Sequence, residues 1–185
     1  MRYLKLLGLL AVAAAALMAL AGSASATSVT SSEGSTPNIV ATSTNFKFDN
    51  SFVTVECSHS KLEGNVKSHG AGVPVGLGVD ALSFTGCNYQ VTVGTKGSLA
   101  VHGAATTGDG TITWSGLEIT IHTSVGPCIL TTSGTDVGTL DGKTGAVWNI
   151  NSAKIPRTGG NFLCGSSWTW TGSYAITSPS TLELH

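Results

Sequence analysis

The sequence predicts an all-β, single-domain protein, an antiparallel β-sandwich of about 10–12 short strands, with a closed β-barrel as the alternative. Three observations lead there: side chains that alternate with a period of two, turn residues at intervals near ten residues, and a composition rich in Gly, Ser, Thr and Val. No segment carries apolar residues at helical spacing with charged residues between them.

The clearest strand is SWTWTGSYAIT, Ser167 to Thr177. Trp168, Trp170, Tyr174 and Ile176 fall on one parity, and hydroxyl residues fall on the other. Successive side chains of a strand point to opposite faces, so this is a half-buried strand. A similar phrase, ITWSGLEITIHT, covers 112–123.

The N-terminus is typical of a secretory signal peptide over 1–26. Arg2 and Lys5 precede an uncharged apolar run, and Ala24-Ser25-Ala26 supplies the small residues of a cleavage site. We therefore expect a secreted protein cleaved near Ala26, a flexible N-terminal arm over 27–37 and one β domain over 38–185. No later apolar run is long enough to span a bilayer, so we expect no membrane insertion of the mature chain.

The charge of the chain argues against nucleic acid as a partner. The formal net charge is −1, and the loss of Arg2 and Lys5 with the leader makes the mature chain more acidic. Nucleic-acid binding needs a basic surface, which this composition does not supply.

Four cysteines remain after the leader: Cys57, Cys87, Cys128 and Cys164. No two have the short spacing of a zinc motif, and an even number of thiols in an exported chain indicates disulfides. Of the three possible pairings we favour Cys57–Cys87 and Cys128–Cys164, since each joins strands close in sequence.

No catalytic, metal or cofactor motif is present, so we expect a non-enzymatic protein that needs no cofactor and no metal. The alternative is a secreted hydrolase acting on a polysaccharide. It requires acidic groups and histidine to converge from separate strands, and the candidates are Glu56, Glu63, Glu118, His122 and Asp136.

The aromatic residues Trp114, Trp148, Trp168 and Trp170 have two interpretations. A flat indole face on an exported β domain suits a sugar ring, which predicts binding of a polysaccharide or another component of the cell envelope. Core packing is the stronger interpretation, because Trp168 and Trp170 share the parity of Ile176. A third hypothesis is a self-associating structural protein of the cell surface.

The phrases GTLDGKTGAVW, FLCGSSWTW and WTGSYAIT, together with the Ala-rich leader and four spaced cysteines, resemble small exported proteins of high-GC Gram-positive bacteria. The resemblance implies export and a β domain. It carries no functional residue across to this chain.

Overall fold

The computed structural model describes residues 26–27, 29–71, 73–103 and 108–185. The predicted signal peptide, apart from Ala26, lies outside the described residues. Sixteen strands and one 3-10 turn, Phe162–Cys164, occur in the described part. The strands are β1 (Ala26–Thr27), β2 (Val29–Ser31), β3 (Asn38–Ser43), β4 (Phe46–Asp49), β5 (Thr54–Ala71), β6 (Val73–Cys87), β7 (Gln90–Val93), β8 (Ser98–Gly103), β9 (Gly110–Ser115), β10 (Glu118–Thr123), β11 (Gly126–Thr131), β12 (Thr135–Asp141), β13 (Lys143–Thr144), β14 (Val147–Gly160), β15 (Ser167–Ser178) and β16 (Thr181–Leu184).

The central feature is a closed, eight-stranded antiparallel barrel. Its order is β5-β6-β8-β9-β12-β14-β15, and the eighth position is shared by β3 and β4, which both pair with β15 and with β5. The all-β, antiparallel prediction is confirmed. Of the two architectures that the sequence left open, the barrel is the one that forms.

Several strands are longer than the sequence predicted, and β5 and β6 have 18 and 15 residues. The glycine-rich segments 68–71 and 73–78 belong to these two strands, whose pairing contains register shifts. A Cβ on Gly64 would lie 2.3 Å from the carbonyl oxygen of Gly78. Glycine here permits close approach of two backbones at a bulge, rather than a turn.

One half of the barrel interior is filled by aromatic side chains. Trp170 lies 5.3 Å from Phe46 and 5.6 Å from Phe48, and Tyr174 stacks on Trp148 at 4.9 Å between ring centroids. The alternating face predicted for β15 therefore points into the core. The other half is lined by aliphatic side chains and contains an apolar cavity of about 40 Å³.

A three-stranded antiparallel sheet, β13-β16-β2, covers the aliphatic end of the barrel, and we call it the cap. Val29, Leu182 and Leu184 are buried and line the cavity beneath it. Residues 29–31, within the segment predicted as an N-terminal arm over 27–37, form β2 and pair with β16, and Val29 is buried there.

Strands β11, β10 and β7 extend the sheet outward from the far end of β14. On β10, Ile119 and Ile121 are buried, whereas His122 is exposed. The period of two predicted for this strand is confirmed, and its apolar face joins the core.

Both favoured disulfides form. Cys57–Cys87 joins neighbouring residues of β5 and β6, and Cys128–Cys164 joins β11 to the 3-10 turn. Two disulfides are consistent with a protein of an oxidising compartment. In the part of the chain that the structure describes, no helix has the length and apolar character needed to cross a membrane.

Candidate functional site

The four tryptophans do not form a surface platform. All are at most 3% exposed. The indole nitrogens of Trp114, Trp148 and Trp168 donate to backbone carbonyls, and that of Trp170 has no acceptor among the described residues. The proposed sugar-binding role of these indoles on the surface is therefore corrected: their rings fill the core, where water exclusion stabilises the fold.

Tyr174 shows how dry this core is. Its hydroxyl lies 2.6 Å from Oγ of Ser60, whose hydroxyl also bonds the carbonyl of Ser83 at 2.9 Å. Burial raises the pKa of the Tyr174 hydroxyl far above its ordinary value, and the Ser60 hydrogen bond lowers it by less. The group acts as a neutral core residue.

The candidate hydrolase residues lie on three strands, with Glu56 and Glu63 on β5, Glu118 and His122 on β10, and Asp136 on β12. Within the described residues, no hydrogen bond or ion pair joins any two of Glu56, Glu63, Glu118, His122 and Asp136. Glu63 pairs instead with Lys61, and Asp136 accepts the amide of Gly138. The described residues also contain no group of three His, Cys, Asp or Glu side chains that could hold a metal ion.

Among the described residues, the large apolar side chains that remain exposed lie on linked loops at one end of the molecule. Phe52 is 79% exposed, Phe162 78%, Leu163 51% and Val125 37%. We call these four residues the apolar tip. It lies opposite the cap, since β15 starts beside the 3-10 turn at Ser167 and ends at Ser178, just before β16.

The 3-10 turn that carries Phe162 and Leu163 is fixed on its inner side. Asn161 caps it: its Oδ1 accepts the amide of Leu163 at 2.9 Å, and its Nδ2 donates to the carbonyl of Val125. The amide of Asn161 also bonds the carbonyl of Pro127 at 2.9 Å. Together with the Cys128–Cys164 disulfide, these contacts tie the turn to the loop that carries Val125.

The loop that carries Phe52 is attached to the same turn by a second asparagine. Oδ1 of Asn50 accepts the amides of Phe52 and Val53, each at 2.8 Å. Its Nδ2 donates to the carbonyl of Cys164, also at 2.8 Å. Three loops distant in sequence thus form one unit, with the backbone fixed and the largest side chains facing solvent.

This arrangement suits binding. A set of exposed apolar side chains on a rigid backbone binds without a large ordering cost. The local sequence does not reveal the tip, because Phe52 and Phe162 each lie close before a strand, where a phenylalanine usually belongs to the core. The available signal was the asparagine one or two residues before each phenylalanine, a residue that commonly caps turns.

The cap end carries a polar surface cleft of about 830 Å³. It is lined by His102, Asp109, Asp141, Lys143 and neighbouring residues. Oδ1 of Asp109 is buried with no partner among the described residues. Residues 104–107, which follow β8, lie outside the described part, so we assign no ligand to this cleft.

No family model, no curated protein and no solved structure matches this chain. The geometry of the described residues therefore carries the functional argument.

Proposed function

We propose that the protein is an exported, non-enzymatic binding module that attaches to a component of the cell envelope through its apolar tip. The observation that carries the proposal is the exposure of Phe52 and Phe162, both near 80%, on loops whose backbones are held by hydrogen bonds and a disulfide. Exposed apolar groups on a monomeric protein commonly mark an interaction surface.

Export is supported by the leader at 1–26 and by the two disulfides, which persist outside the reducing cytosol. Binding is supported by the large apolar side chains that the tip exposes on a fixed backbone. The envelope is the first surface that an exported chain meets, which is why we choose it as the place of attachment.

The test is retention on isolated cell envelopes of the producing bacterium. We expect the oxidised chain to sediment with envelopes, and the double variant Phe52→Ser with Phe162→Ser to remain in the supernatant. The double variant Phe52→Leu with Phe162→Leu is the matched control, because leucine keeps the apolar character, and it should sediment like the parent.

Equal retention of the serine and leucine variants would overturn the proposal, as would absence of retention of the parent chain. Analytical ultracentrifugation of the same three proteins addresses self-association. A parent dimer that the serine changes dissociate, without envelope binding, would assign the tip to self-assembly instead.

A further inference from the structure

We infer that the envelope component bound by the apolar tip is the surface of a phospholipid bilayer, into which Phe52, Phe162 and Leu163 insert while the barrel stays outside. This inference rests on the proposed function and names its partner, and it replaces the expectation of no membrane insertion with shallow insertion of three side chains. Four observations carry it: a charge-free tip, hydrogen bonds from side chains to part of its backbone, its small area and an adjacent cation.

The three loops of the tip carry no charge. Segments 50–53, 124–127 and 161–166 contain no Asp, Glu, Lys or Arg. Moving an ionised side chain out of water is costly, and none has to be moved when this end of the molecule enters an apolar phase.

Several polar backbone groups of the tip are satisfied by the protein itself. The carbonyls of Val125, Cys164 and Gly165 accept from side chains of Asn161, Asn50 and Arg157, respectively. The carbonyl of Cys164 also accepts the indole NH of Trp168 at 2.9 Å.

Three backbone amides of the tip, those of Phe52, Val53 and Leu163, donate to asparagine side chains. Unsatisfied backbone groups are what normally keep loops out of the hydrocarbon region. Here side-chain amides replace water at three of these groups, which reduces the number of hydrogen bonds lost when the loops leave water.

The area of the tip suits a lipid surface better than a folded protein. Each phenylalanine presents on the order of 150 Å², so the four side chains together present on the order of 400–500 Å². A stable protein interface buries about 800 Å² on each partner and requires shape complementarity. A bilayer is fluid and fits protruding side chains of any shape.

A cation lies at the inner border of the tip. Nε of Arg157 donates to the carbonyl of Gly165 at 2.5 Å, and Arg157 forms no ion pair with a carboxylate in the described part of the chain. The acidic residue beside the Phe52 loop, Asp49, is paired with Lys47 at 3.5 Å. The remaining guanidinium nitrogens of Arg157 suit the phosphate that every phospholipid headgroup carries.

The experiment is partition of the oxidised chain onto vesicles of phosphatidylcholine with and without phosphatidylglycerol. We expect binding to both, with Phe162→Ser lowering the partition coefficient about tenfold and the double serine variant lowering it about a hundredfold. Phe162→Leu should retain most of the binding. The altered side chains are exposed, and an unchanged near-ultraviolet circular dichroism spectrum would verify that each variant is folded.

A depth measurement provides a second, independent readout. In Phe162→Trp the introduced indole lies at the tip, while the four native indoles are buried. Vesicles of phosphatidylcholine brominated on the acyl chains should quench the additional emission and leave the native emission unchanged.

The outcomes separate the two proposals. Retention on envelopes that depends on the tip, without partition onto vesicles, would keep the binding module and overturn the lipid inference, leaving a glycan or protein as its partner. Equal partition of the parent and the double serine variant would also overturn the lipid inference. Absence of both envelope and vesicle binding would end both proposals.

Discussion

The two ends of the barrel treat apolar side chains in opposite ways. At the cap end, Leu182 and Leu184 of β16 turn inward and are at most 6% exposed. At the tip end, Phe52 and Phe162 turn outward and are nearly 80% exposed. The C-terminal residues cover one end of the barrel. At the other end, a disulfide and several side-chain hydrogen bonds fix loops whose largest apolar side chains remain exposed.

Exposure at the tip therefore does not arise from a mobile backbone. A mobile loop can expose a phenylalanine at no energetic consequence for the fold, but a turn fixed by Asn161, Asn50 and Cys164 holds its side chains in one place. Such preorganisation benefits binding because little conformational entropy is left to lose.

The largest expected effect comes from removing the disulfides one at a time. The pairs span 30 and 36 residues, so replacing either pair by serine should lower the free energy of unfolding by a similar amount, about 3–4 kcal/mol. Urea denaturation measures this. Removal of Cys128–Cys164 should also accelerate chymotrypsin cleavage after Phe162 in the folded protein, whereas removal of Cys57–Cys87 should not.

Chymotrypsin is informative because cleavage requires the turn to leave its anchored conformation, and the rate therefore reports local opening. Equal acceleration in both variants would mean that the Cys128–Cys164 bridge does not hold the tip locally, and the contrast between the two ends would lose its main structural basis.

A smaller change in stability is expected from enlarging one side chain in each half of the barrel interior. Val55 lies in the tightly filled aromatic half opposite Phe48, and Val101 lines the cavity of about 40 Å³. Val55→Ile should overpack its site and destabilise the protein by about 1–3 kcal/mol. Val101→Ile should fill the cavity and stabilise the protein by about 1 kcal/mol.

Thermal and urea denaturation of this matched pair measure the sign of each change. If both substitutions destabilise equally, the aliphatic half is packed as tightly as the aromatic half. Filling the cavity under the cap would then add nothing to the free energy of unfolding.

The sequence predicted the parts of this fold that depend on local pattern. The parity of Trp168, Trp170 and Tyr174 identified the core face, since a period of two needs no knowledge of neighbouring strands. The disulfides followed from the order of the cysteines. Closure of the barrel did not follow, because it depends on β3 and β4 both pairing with β5 and β15, a long-range register that no local window contains.

The apolar tip was missed for the same reason. Phe52 and Phe162 are each ordinary phenylalanines beside a strand, and either would be assigned to the core from its local sequence. Their joint exposure follows from the hydrogen bond between Asn50 and the carbonyl of Cys164, residues 114 positions apart. A contact of that separation leaves no periodic signal in the sequence.

The smallest expected change in stability tests whether water is excluded from the aromatic half of the barrel. Tyr174→Phe removes the buried hydrogen bond to Ser60 and should cost about 0.5–1.5 kcal/mol near neutral pH. The Ser60 hydroxyl keeps its bond to the carbonyl of Ser83, which limits the loss.

The pH dependence gives this prediction its specificity. Burial raises the pKa of Tyr174 in the folded state, whereas the unfolded tyrosine titrates near pH 10. Above pH 10 the unfolded state therefore binds fewer protons than the folded state, and stability falls as pH rises, by up to about 1.4 kcal/mol per pH unit from this group. The full contribution is present below pH 10.

Phenylalanine cannot ionise, so Tyr174→Phe should flatten the alkaline decline. Urea denaturation between pH 8 and about 11 compares the variant with the parent. An alkaline decline in Tyr174→Phe as steep as in the parent would show that the phenol ionises in place, which requires water to reach it. Water would then enter the aromatic half of the interior, and the description of that half as dry would be wrong.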